Sequence, residues 1–456
     1  MKFLFIHQNF PGQFVHIVRY LAQAGHQVNF ITQPRNAEIA GVRKLEYQPD
    51  PPPSYGHAYL RELEGGVANG LAVARLCEWL DRDGFVPDVV IGHNGWGEIL
   101  YIKDVWPRTP LLGYFEFFYS ARGSDVDFDR EFPPEPDTPV RLRTRNAINL
   151  LGLDAADWGQ SPTEWQRSRY PRRYWDRITV VHEGVDTTFV KPDPTARLWL
   201  GSGHCLSRAD EVVTYSARNL EPYRGFHIFM RALPKLLEQR PRAQVLIVGG
   251  DGVSYGRRPE KASSYSAQLL TELDGKLDLR RVHFLGHLPY QQYLTVLQIS
   301  RAHVYLTYPF VLSWSLLEAM AAGCFVVSSR TPPIEEVIRD AENGQLVDFF
   351  DVDGWQAVSP TPSLAIMTAS TTASARLPGR RCCDSTMSIR SAFRPIWTCS
   401  ARCCRPLRVF EWLTPSGVTH RSTSPSPASR FSVRRPSPAA CSSYGGKIRR
   451  CARGSS

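Results

Sequence analysis

The sequence predicts an α/β protein with two Rossmann-like domains that face each other across a cleft. The chain opens with a strand, helix, strand pattern at residues 2–32, and short apolar strands then alternate with amphipathic helices. The same alternation starts again after Val181. Such a series predicts a parallel sheet. Two series in tandem therefore predict two sheets, with ligands bound at the carboxyl ends of their strands.

The N-terminal half begins with an apolar strand at Lys2 to Ile6. After a turn at Pro11 and Gly12, apolar residues recur at helical spacing until Gly25, which predicts a helix that ends there. Further strands are predicted at residues 28–32, 89–91 and 111–115. A stretch rich in Pro and Asp, residues 122–139, is predicted to be a loop.

The C-terminal half repeats the alternation. Strands are predicted at residues 212–216, 245–248, 282–285, 304–308 and 325–328, and helices at 226–238, 290–300 and 315–322. We therefore expect an N-terminal domain at residues 1–180, a C-terminal domain at 181–350, and a separate tail at 351–456.

The tail differs sharply in composition from the rest of the chain. Residues 353–456 hold 15 Arg, one Lys and three acidic residues, a net charge of +13, which leaves −3 of the total +10 for residues 1–352. The body therefore gives no compositional support for nucleic-acid binding. A basic Ser-, Arg-, Pro- and Cys-rich segment predicts disorder. We favour a frameshift instead, because Arg without Lys among Ser, Pro, Ala and Cys is typical of G/C-rich DNA translated out of frame.

Cysteine usage and hydropathy predict a cytoplasmic protein. Only Cys77, Cys205 and Cys324 precede residue 380, and three scattered cysteines suit a reducing compartment. The first strand is too short for a signal peptide. The least charged stretch, residues 302–329, contains Pro, Glu and Gly and divides into strand, loop, helix and strand, which argues against a membrane span. A peripheral association with the inner face of the membrane stays open.

The most informative stretch is YPFVLSWSLLEAMAAG, Tyr308 to Gly323. A strand enters a short loop, and a helix follows with Glu318 expected in its first turn. Free backbone N–H groups at a helix N-terminus favour an anion. The alternative is a capping box without any ligand, since Ser315 and Glu318 have the S-x-x-E spacing.

This stretch resembles the donor-sugar loop of the retaining glycosyltransferases of family 4, which have the GT-B fold. In that family an acid-x7-acid pattern precedes L-E-A-M-A-x-G, and its second Glu binds the nucleotide ribose. The resemblance gives that role to Glu318, while the first acidic position falls on Phe310. We also expect Ser313 and Ser315 to bind the donor.

A second stretch, ARNLEPYRGF at residues 217–226, resembles the family's diphosphate site. The family places an Arg after the first strand of the C-terminal domain and a Lys before a Gly. The resemblance implies that Arg218 and Arg224 hold the leaving diphosphate, with one extra residue between them. Arginine keeps the charge and offers bidentate phosphate contact. The alternative is two surface arginines at the end of a strand.

Two glycine turns complete the predicted donor site. HQNFPGQF, residues 7–14, resembles the loop whose backbone approaches the donor diphosphate, with Gly12 present and Gln13 in place of a second glycine. The GGDG turn that contains Gly250 follows an apolar strand, so a nucleotide could lie against it. The stretch HEGVDTTFVKP, residues 182–192, resembles the family's hinge between the domains.

The predicted acceptor side lies in the N-terminal half. His93, Asn94 and Glu116 follow strands there, and solvated loop positions are the alternative for each. Glu116 falls roughly where many members of the family carry a functional His. We expect no metal, because no D-x-D-like pair stands out, and no cofactor other than the nucleotide-diphosphate sugar that serves as donor substrate.

Together these features predict a retaining, hexosyltransferase-like enzyme of family 4. It would move a sugar from a nucleotide-diphosphate donor to a hydroxyl of a glycan or glycolipid, as in cell-surface polysaccharide biosynthesis. The alternative is an inactive nucleotide-sugar-binding or truncated product, which Phe310, Glu116 and the tail favour. Turnover of a nucleotide-sugar with an acceptor separates the two.

Overall fold

A computed structural model of the chain describes residues 1–51, 56–201 and 203–356. Within them the chain forms two large parallel β-sheets, one in each half, with helices in the connections between strands. The prediction of two Rossmann-like sheets is confirmed. Residues 357–456, which carry nearly all of the predicted tail, lie outside the described residues.

The N-terminal sheet has seven parallel strands in the order β3-β2-β1-β4-β5-β6-β7. These strands are β1 (Lys2–Ile6), β2 (Gln27–Thr32), β3 (Val42–Glu46), β4 (Val89–His93), β5 (Leu111–Tyr114), β6 (Trp158–Ser161) and β7 (Ile178–Val180). The helices are α1 (Val15–Gln23), α2 (Arg61–Arg82), α3 (Ile102–Val105), α4 (Thr138–Ala155) and α5 (Glu164–Arg169). The strand order reverses between β1 and β4, so their carboxyl ends flank the crevice where ligands of such sheets bind.

The C-terminal sheet has six parallel strands in the order β12-β11-β10-β13-β14-β15, preceded by the antiparallel pair β8 and β9. The strands are β8 (Arg197–Trp199), β9 (Cys205–Ser207), β10 (Val212–Asn219), β11 (Gln244–Gly250), β12 (Val282–Gly286), β13 (Ala302–Tyr305), β14 (Phe325–Ser329) and β15 (Gln345–Val347). The helices are α6 (Phe226–Gln239), α7 (Tyr265–Glu272), α8 (Tyr290–Ile299), α9 (Trp314–Ala321), α10 (Pro332–Glu335) and α11 (Val352–Gln356). Its strand order reverses between β10 and β13.

The central strands form because both of their faces are covered. Four of the five residues of β1 are buried, and β10 buries its first five residues, which explains their nearly continuous apolar runs. In helix α6 the apolar residues do not form a continuous run but recur at helical spacing, and they pack on the sheet. The ring of Phe229 is stacked on that of Tyr215, with 4.8 Å between their centroids. The sheets are therefore rigid supports for the loops at their carboxyl ends.

The predicted loop at 122–139 belongs to a segment that joins the two halves. Residues 117–137, called the crossing segment here, leave β5 and pack on the C-terminal half before α4 begins. Asp125 accepts a hydrogen bond from Tyr223 at 2.9 Å. Arg231 on α6 holds Glu131 through two contacts of 2.7 and 2.8 Å. The loop was predicted correctly, but its contacts with the other half were not.

The chain stays packed beyond the predicted start of the tail at residue 351. Val352–Gln356 form α11, and the indole of Trp355 is only 1% exposed. Its Nε1 donates to the carbonyl oxygen of Asp348 at 2.9 Å. The compositional break therefore falls inside a helix, because one tryptophan in a polar stretch is enough to anchor a short helix to the core.

Candidate active site

A network of four polar side chains occupies the switch point of the N-terminal sheet. His7 follows β1, His93 ends β4 and Glu116 follows β5. His7 Nε2 lies 2.8 Å from Gln13 Oε1, and Gln13 Nε2 donates to Glu116 Oε1 at 3.0 Å. Glu116 Oε2 lies 3.5 Å from His93 Nε2. The structure thus brings Gln13, His93 and Glu116 together at the ends of three strands.

His7 is a neutral member of this network. The backbone N–H of Asn9 donates to His7 Nδ1 at 2.8 Å, so the ring proton belongs on Nε2, which donates to Gln13. Burial, followed by the charge of His93, holds the pKa of His7 well below its usual range, although the bond to Gln13 acts in the opposite direction. His7 therefore orients Gln13 without adding a positive charge.

Gly12 lets the loop close over His7. Its φ is +51°, in the region that favours glycine, and an added Cβ would lie 3.0 Å from Cδ2 of the His7 ring. The loop is thus held against the strand ends by the same residue that orients Gln13.

Glu116 is a charged carboxylate that faces the other half of the chain. Burial alone would raise its pKa, but the hydrogen bond and charge of His93, the bond from Gln13 and the charge of Arg218 outweigh burial and lower the pKa. Its side chain is still 32% exposed. Because Arg218 belongs to the C-terminal half, the two predicted sides of the cleft meet at this pair.

Asn94 does not join the network. Its Nδ2 donates to Asn149 Oδ1 at 3.0 Å, and its Oδ1 lies 1.6 Å from where a Cβ on Gly152 would be. The side chain is fully buried against α4. The structure therefore separates Asn94 from His93, its neighbour in sequence, because successive side chains point in different directions as the chain leaves the strand.

Arg218 lies at the carboxyl end of β10, which extends further than predicted, to Asn219. Its side chain is exposed, and among the described residues the guanidinium forms no hydrogen bond or ion pair. Its positive charge acts on Glu116 and helps to lower the pKa of that carboxyl. An unpaired cation at the switch point of the sheet is available for an anionic ligand.

Arg224 has a different environment. It is 7% exposed, and its Nη1 lies 2.7 Å from Thr307 Oγ1, 3.1 Å from the hydroxyl of Tyr305 and 3.1 Å from the carbonyl oxygen of Val311. These contacts fix the loop between β13 and α9. The role of Arg224 in diphosphate binding stays a prediction, because Nη1 is already committed to the loop.

Helix α9 begins earlier than predicted. Its N-cap is Ser313, whose Oγ accepts from the backbone N–H of Ser315 at 3.3 Å. The capping box of Ser315 with Glu318 is therefore wrong, and Glu318 lies in the second turn. The cause is a long-range contact: Tyr305 accepts from the backbone N–H of Ser313 at 2.9 Å and fixes the start of the helix there.

Glu318 is held from the neighbouring helix α8. Its Oε1 accepts from the Tyr290 hydroxyl at 2.6 Å. Burial raises the pKa of Glu318, and the hydrogen bond from Tyr290 only partly offsets that effect. The charge of Arg19 on α1 acts in turn on the pKa of Tyr290. Helix α1 of the N-terminal half thus lies near Tyr290, the residue that binds Glu318.

Glu183, in the predicted hinge, links both halves. Its Oε1 accepts from the Tyr114 hydroxyl at 2.6 Å and lies 3.3 Å from Trp314 Nε1. Tyr114 ends β5, and Trp314 is the first residue of α9. The network around Glu116 and the start of the donor helix are therefore connected through one carboxylate.

Phe310 lies in an aromatic cluster between the halves. Its ring centroid is 4.6 Å from that of Phe117, in the crossing segment, and 5.0 Å from that of Tyr255. The side chain is 6% exposed. Where the family has an acidic residue, this chain has an apolar contact between its two halves.

The loop after Gly250 is organised by a residue that the sequence analysis did not select. Glu221, fully buried, accepts from the backbone N–H groups of Ser254 and Gly256, both at 2.9 Å. A Cβ on Gly250 would lie 2.2 Å from Nε2 of the exposed His287, so a larger residue there would displace that ring. Glu221 belongs to the stretch that contains Arg218 and Arg224, but nothing in the sequence indicates which amides it binds.

The fold defines the class of this protein: it is a GT-B glycosyltransferase fold. Sucrose-phosphate synthase from Thermosynechococcus elongatus matches with a TM-score of 0.59 and 17% identity over 83% of this chain and 95% of that one. Anabaena HepE in complex with UDP-glucose matches with a TM-score of 0.57 and 16% identity over 82% and 94%. At these identities the likeness concerns the fold.

Family models identify the chain more narrowly. Residues 24–190 match the model described as glycosyl transferase family 4 group, and residues 206–358 match glycosyl transferases group 1. One model thus covers the N-terminal sheet, the other covers the C-terminal sheet, and both describe glycosyltransferases. The predicted family is confirmed at that level.

Curated relatives agree with this assignment. D-inositol 3-phosphate glycosyltransferase of Corynebacterium efficiens is 26% identical over 61% of this chain and 63% of its own length. A GDP-mannose-dependent alpha-(1-6)-phosphatidylinositol monomannoside mannosyltransferase of Mycolicibacterium smegmatis is 28% identical over 46% and 53%. The chain spans between 38% and 63% of the length of the first three curated relatives.

The described residues contain no group of three or more His, Cys, Asp or Glu side chains arranged to hold a metal ion. No helix among residues 1–51, 56–201 and 203–356 is both long and apolar enough to cross a bilayer.

Proposed function

We propose that this protein is a retaining glycosyltransferase that moves a sugar from a nucleotide-diphosphate donor to a hydroxyl group. The observation that carries the proposal is the position of Arg218 at the carboxyl end of β10, near enough to the charged Glu116 after β5 for its charge to lower the pKa of that carboxyl. The name of the GDP-mannose-dependent relative, and the UDP-glucose bound to HepE, support a nucleotide-sugar donor.

On the donor side, Arg218 would neutralise the diphosphate as it leaves. Charge develops on the diphosphate as the glycosidic bond breaks, and a fixed cation stabilises that charge without reorganisation. Glu318 would accept hydrogen bonds from the ribose hydroxyls through Oε2, since Oε1 is bound by Tyr290. Ser313 and Ser315, whose hydroxyls lie 3.0 Å apart at the N-terminus of α9, would contact the donor as well.

On the acceptor side, Glu116 would receive the acceptor hydroxyl. Its carboxylate is fixed on one oxygen by Gln13, and its other oxygen lies near His93. This geometry can orient one hydroxyl toward the sugar carried by the diphosphate. We propose that the acceptor is a glycan or a glycolipid. The reaction would then belong to polysaccharide synthesis at the inner face of the membrane.

The experiment is turnover. The purified protein is incubated with UDP-, GDP- and ADP-sugars and a panel of glycoside acceptors, and release of nucleoside diphosphate and glycoside product is measured by mass spectrometry. The proposal expects acceptor-dependent release with at least one donor. The proposal fails if calorimetry shows tight nucleotide binding but no combination of donor and acceptor gives a product.

That failure would support the second candidate, an inactive nucleotide-sugar binder. Two observations favour it: Phe310 replaces an acidic residue, and Arg224 is committed to the loop before α9. The first removes an acidic group from the donor-sugar loop, and the second engages Nη1 of Arg224, which the resemblance assigns to the diphosphate, in contacts within the protein.

We also propose that the chain is translated out of frame beyond α11. The support is compositional, as described above, together with the packing of Trp355 just before the change. Resequencing the DNA after codon 356 tests this directly. A confirmed reading frame would make the basic segment native.

A further inference from the structure

The loop after β4 presents an indole at the acceptor side. Trp96 is 41% exposed although the loop around it is tightly packed. A Cβ on Gly97, whose φ is +85°, would lie 2.3 Å from the carbonyl oxygen of Gly66. A Cβ on Gly70 would lie 2.7 Å from the carbonyl oxygen of Gly97. The loop therefore lies directly on the backbone of α2, and the exposure of Trp96 is a fixed feature of it.

Two side-chain amides lie beside the backbone of Trp96. Asn69 Nδ2 donates to the carbonyl oxygen of Trp96 at 2.9 Å, and Gln33 Nε2 lies 3.5 Å from Asn69 Oδ1. Both amides are half-buried and retain donor or acceptor capacity, because each amide group can make up to four hydrogen bonds. An exposed apolar ring, with two amides near its backbone, matches a ligand that has an apolar face and hydroxyls around it.

The indole lies next to the proposed reaction centre. Its ring is stacked with that of His93, at 6.4 Å between centroids and an interplanar angle of 29°. His93 in turn contacts Glu116. Close by, Glu98 is fully buried, and its Oε2 has no hydrogen-bond partner within the described residues. A polar ligand in this region would meet an aromatic face next to the charged Glu116.

We infer that Trp96 is a stacking platform for a pyranose ring of the acceptor, with Asn69 and Gln33 binding hydroxyls of that ring. The acceptor is then a glycan, and its reactive hydroxyl is directed toward Glu116. A pyranose has one face of C–H groups, which covers an indole, and a rim of hydroxyls, which pair with amides. This inference rests on the proposed function and names the acceptor class.

A single exposed tryptophan is ordinary on a protein surface, and the chain offers a matched example. Trp79 on α2 is also 41% exposed, but its ring is covered by the guanidinium of Arg43 at 5.5 Å and lies outside the network of His93 and Glu116. Trp79→Ala therefore controls for the loss of an exposed indole from the same domain.

The test compares Trp96→Ala, Trp96→Phe and Trp79→Ala in two assays: hydrolysis of the nucleotide-sugar by water, and transfer to methyl glucoside, methyl mannoside and methyl galactoside. Trp96→Ala should raise the acceptor KM roughly tenfold or more and leave hydrolysis unchanged. Trp96→Phe should keep most of the affinity, and Trp79→Ala should behave as wild type.

Equal effects of Trp96→Ala and Trp79→Ala would overturn the inference, and so would a loss of hydrolysis by Trp96→Ala, since that would make the loop structural. If the wild type neither transfers nor hydrolyses, the proposed function fails separately. In that case, saturation-transfer NMR measures whether the same methyl glycosides bind to the wild type and to each variant, which tests the role of Trp96. Binding lost only in Trp96→Ala supports the platform, and binding that is absent or unchanged contradicts it.

Discussion

The carboxylate of Asp129 accepts a hydrogen bond from the hydroxyl of Tyr308 at 2.6 Å. Asp129 belongs to the crossing segment, and Tyr308 lies in the loop that leads to α9. The same carboxylate oxygen is 3.1 Å from His227 Nε2 on α6. All three side chains are buried. The loop before the donor helix is therefore fixed by Arg224 from its own half and by Asp129 from the other.

We expect Asp129→Ala to destabilise the protein by about 1–3 kcal/mol at pH 7, because the Tyr308 hydroxyl loses its acceptor in a buried place. Burial acts to raise the pKa of Asp129, but its bonds to His227 and Tyr308 outweigh burial and lower it. This stabilisation is therefore present above the ordinary value of 3.8 and is lost as the pH falls through the lower folded pKa. Denaturant unfolding at pH 7 and pH 3 measures both effects.

Glu135→Ala is the matched control for Asp129→Ala. Glu135 forms an ion pair with Arg257 across the same interface, but both side chains are more than half exposed, so the loss should be about 0–1 kcal/mol. If the two variants are equally stable at pH 7, the buried contact of Asp129 is not what holds the crossing segment.

Arg218→Ala should weaken nucleoside diphosphate binding by about 1.5–3 kcal/mol, the range for hydrogen bonds to charged groups. Arg218→Lys should retain part of the affinity, since the charge remains but bidentate contact is lost. Arg242 precedes β11 at the opposite edge of the same sheet and is 86% exposed, so Arg242→Ala is the control. Calorimetry that finds the same Kd for Arg218→Ala and wild type would remove the phosphate role.

Glu318→Gln should separate binding from stability. The raised pKa of Glu318 means that its ionisation opposes folding, so its contribution is most favourable below about pH 4.5 and becomes less favourable as the pH rises through the folded pKa. Glutamine removes that cost and still accepts the bond from Tyr290. We expect unchanged or higher stability at pH 7, together with weaker nucleotide binding. Lower stability with unchanged affinity would make Glu318 a structural residue.

Glu116→Gln should have opposite effects on two measurements. The carboxylate repels a bound diphosphate and competes with it for Arg218, so its neutralisation should tighten nucleoside diphosphate binding by about 1 kcal/mol. Transfer should slow, because the acceptor hydroxyl loses a charged hydrogen-bond acceptor. Gln13→Ala, which leaves the charge in place, should not tighten binding. Weaker binding in Glu116→Gln would show that the carboxylate does not face the diphosphate.

The sequence was a good guide to the strands and to the residues at their ends. Buried parallel strands are short apolar runs, so β1, β10 and β14 could be placed within a few residues, and Glu116 was selected because it follows a strand. The resemblance added Arg218 and the role of Glu318. Local pattern was sufficient wherever a side chain's position depends mainly on its own strand.

Contacts between distant residues could not be predicted in this way. The start of α9 depends on Tyr305, the burial of Arg224 depends on the loop it supports, and Asn94 is turned aside by Asn149. The crossing segment was predicted only as a loop, since polar composition does not tell which surface its acids bind. Helix α2 was missed as well, because its glycines, which allow the loop of Trp96 to approach, weaken the helical pattern.

A crystal structure with bound UDP or GDP, whichever binds more tightly in calorimetry, tests the central claim most directly. We predict that the diphosphate contacts Arg218 at the carboxyl end of β10 and that the ribose hydroxyls lie within hydrogen-bonding distance of Glu318, with Glu116 facing the diphosphate across the cleft. A nucleotide bound elsewhere, with Arg218 and Glu318 both free of contact, would contradict the assignment of this site.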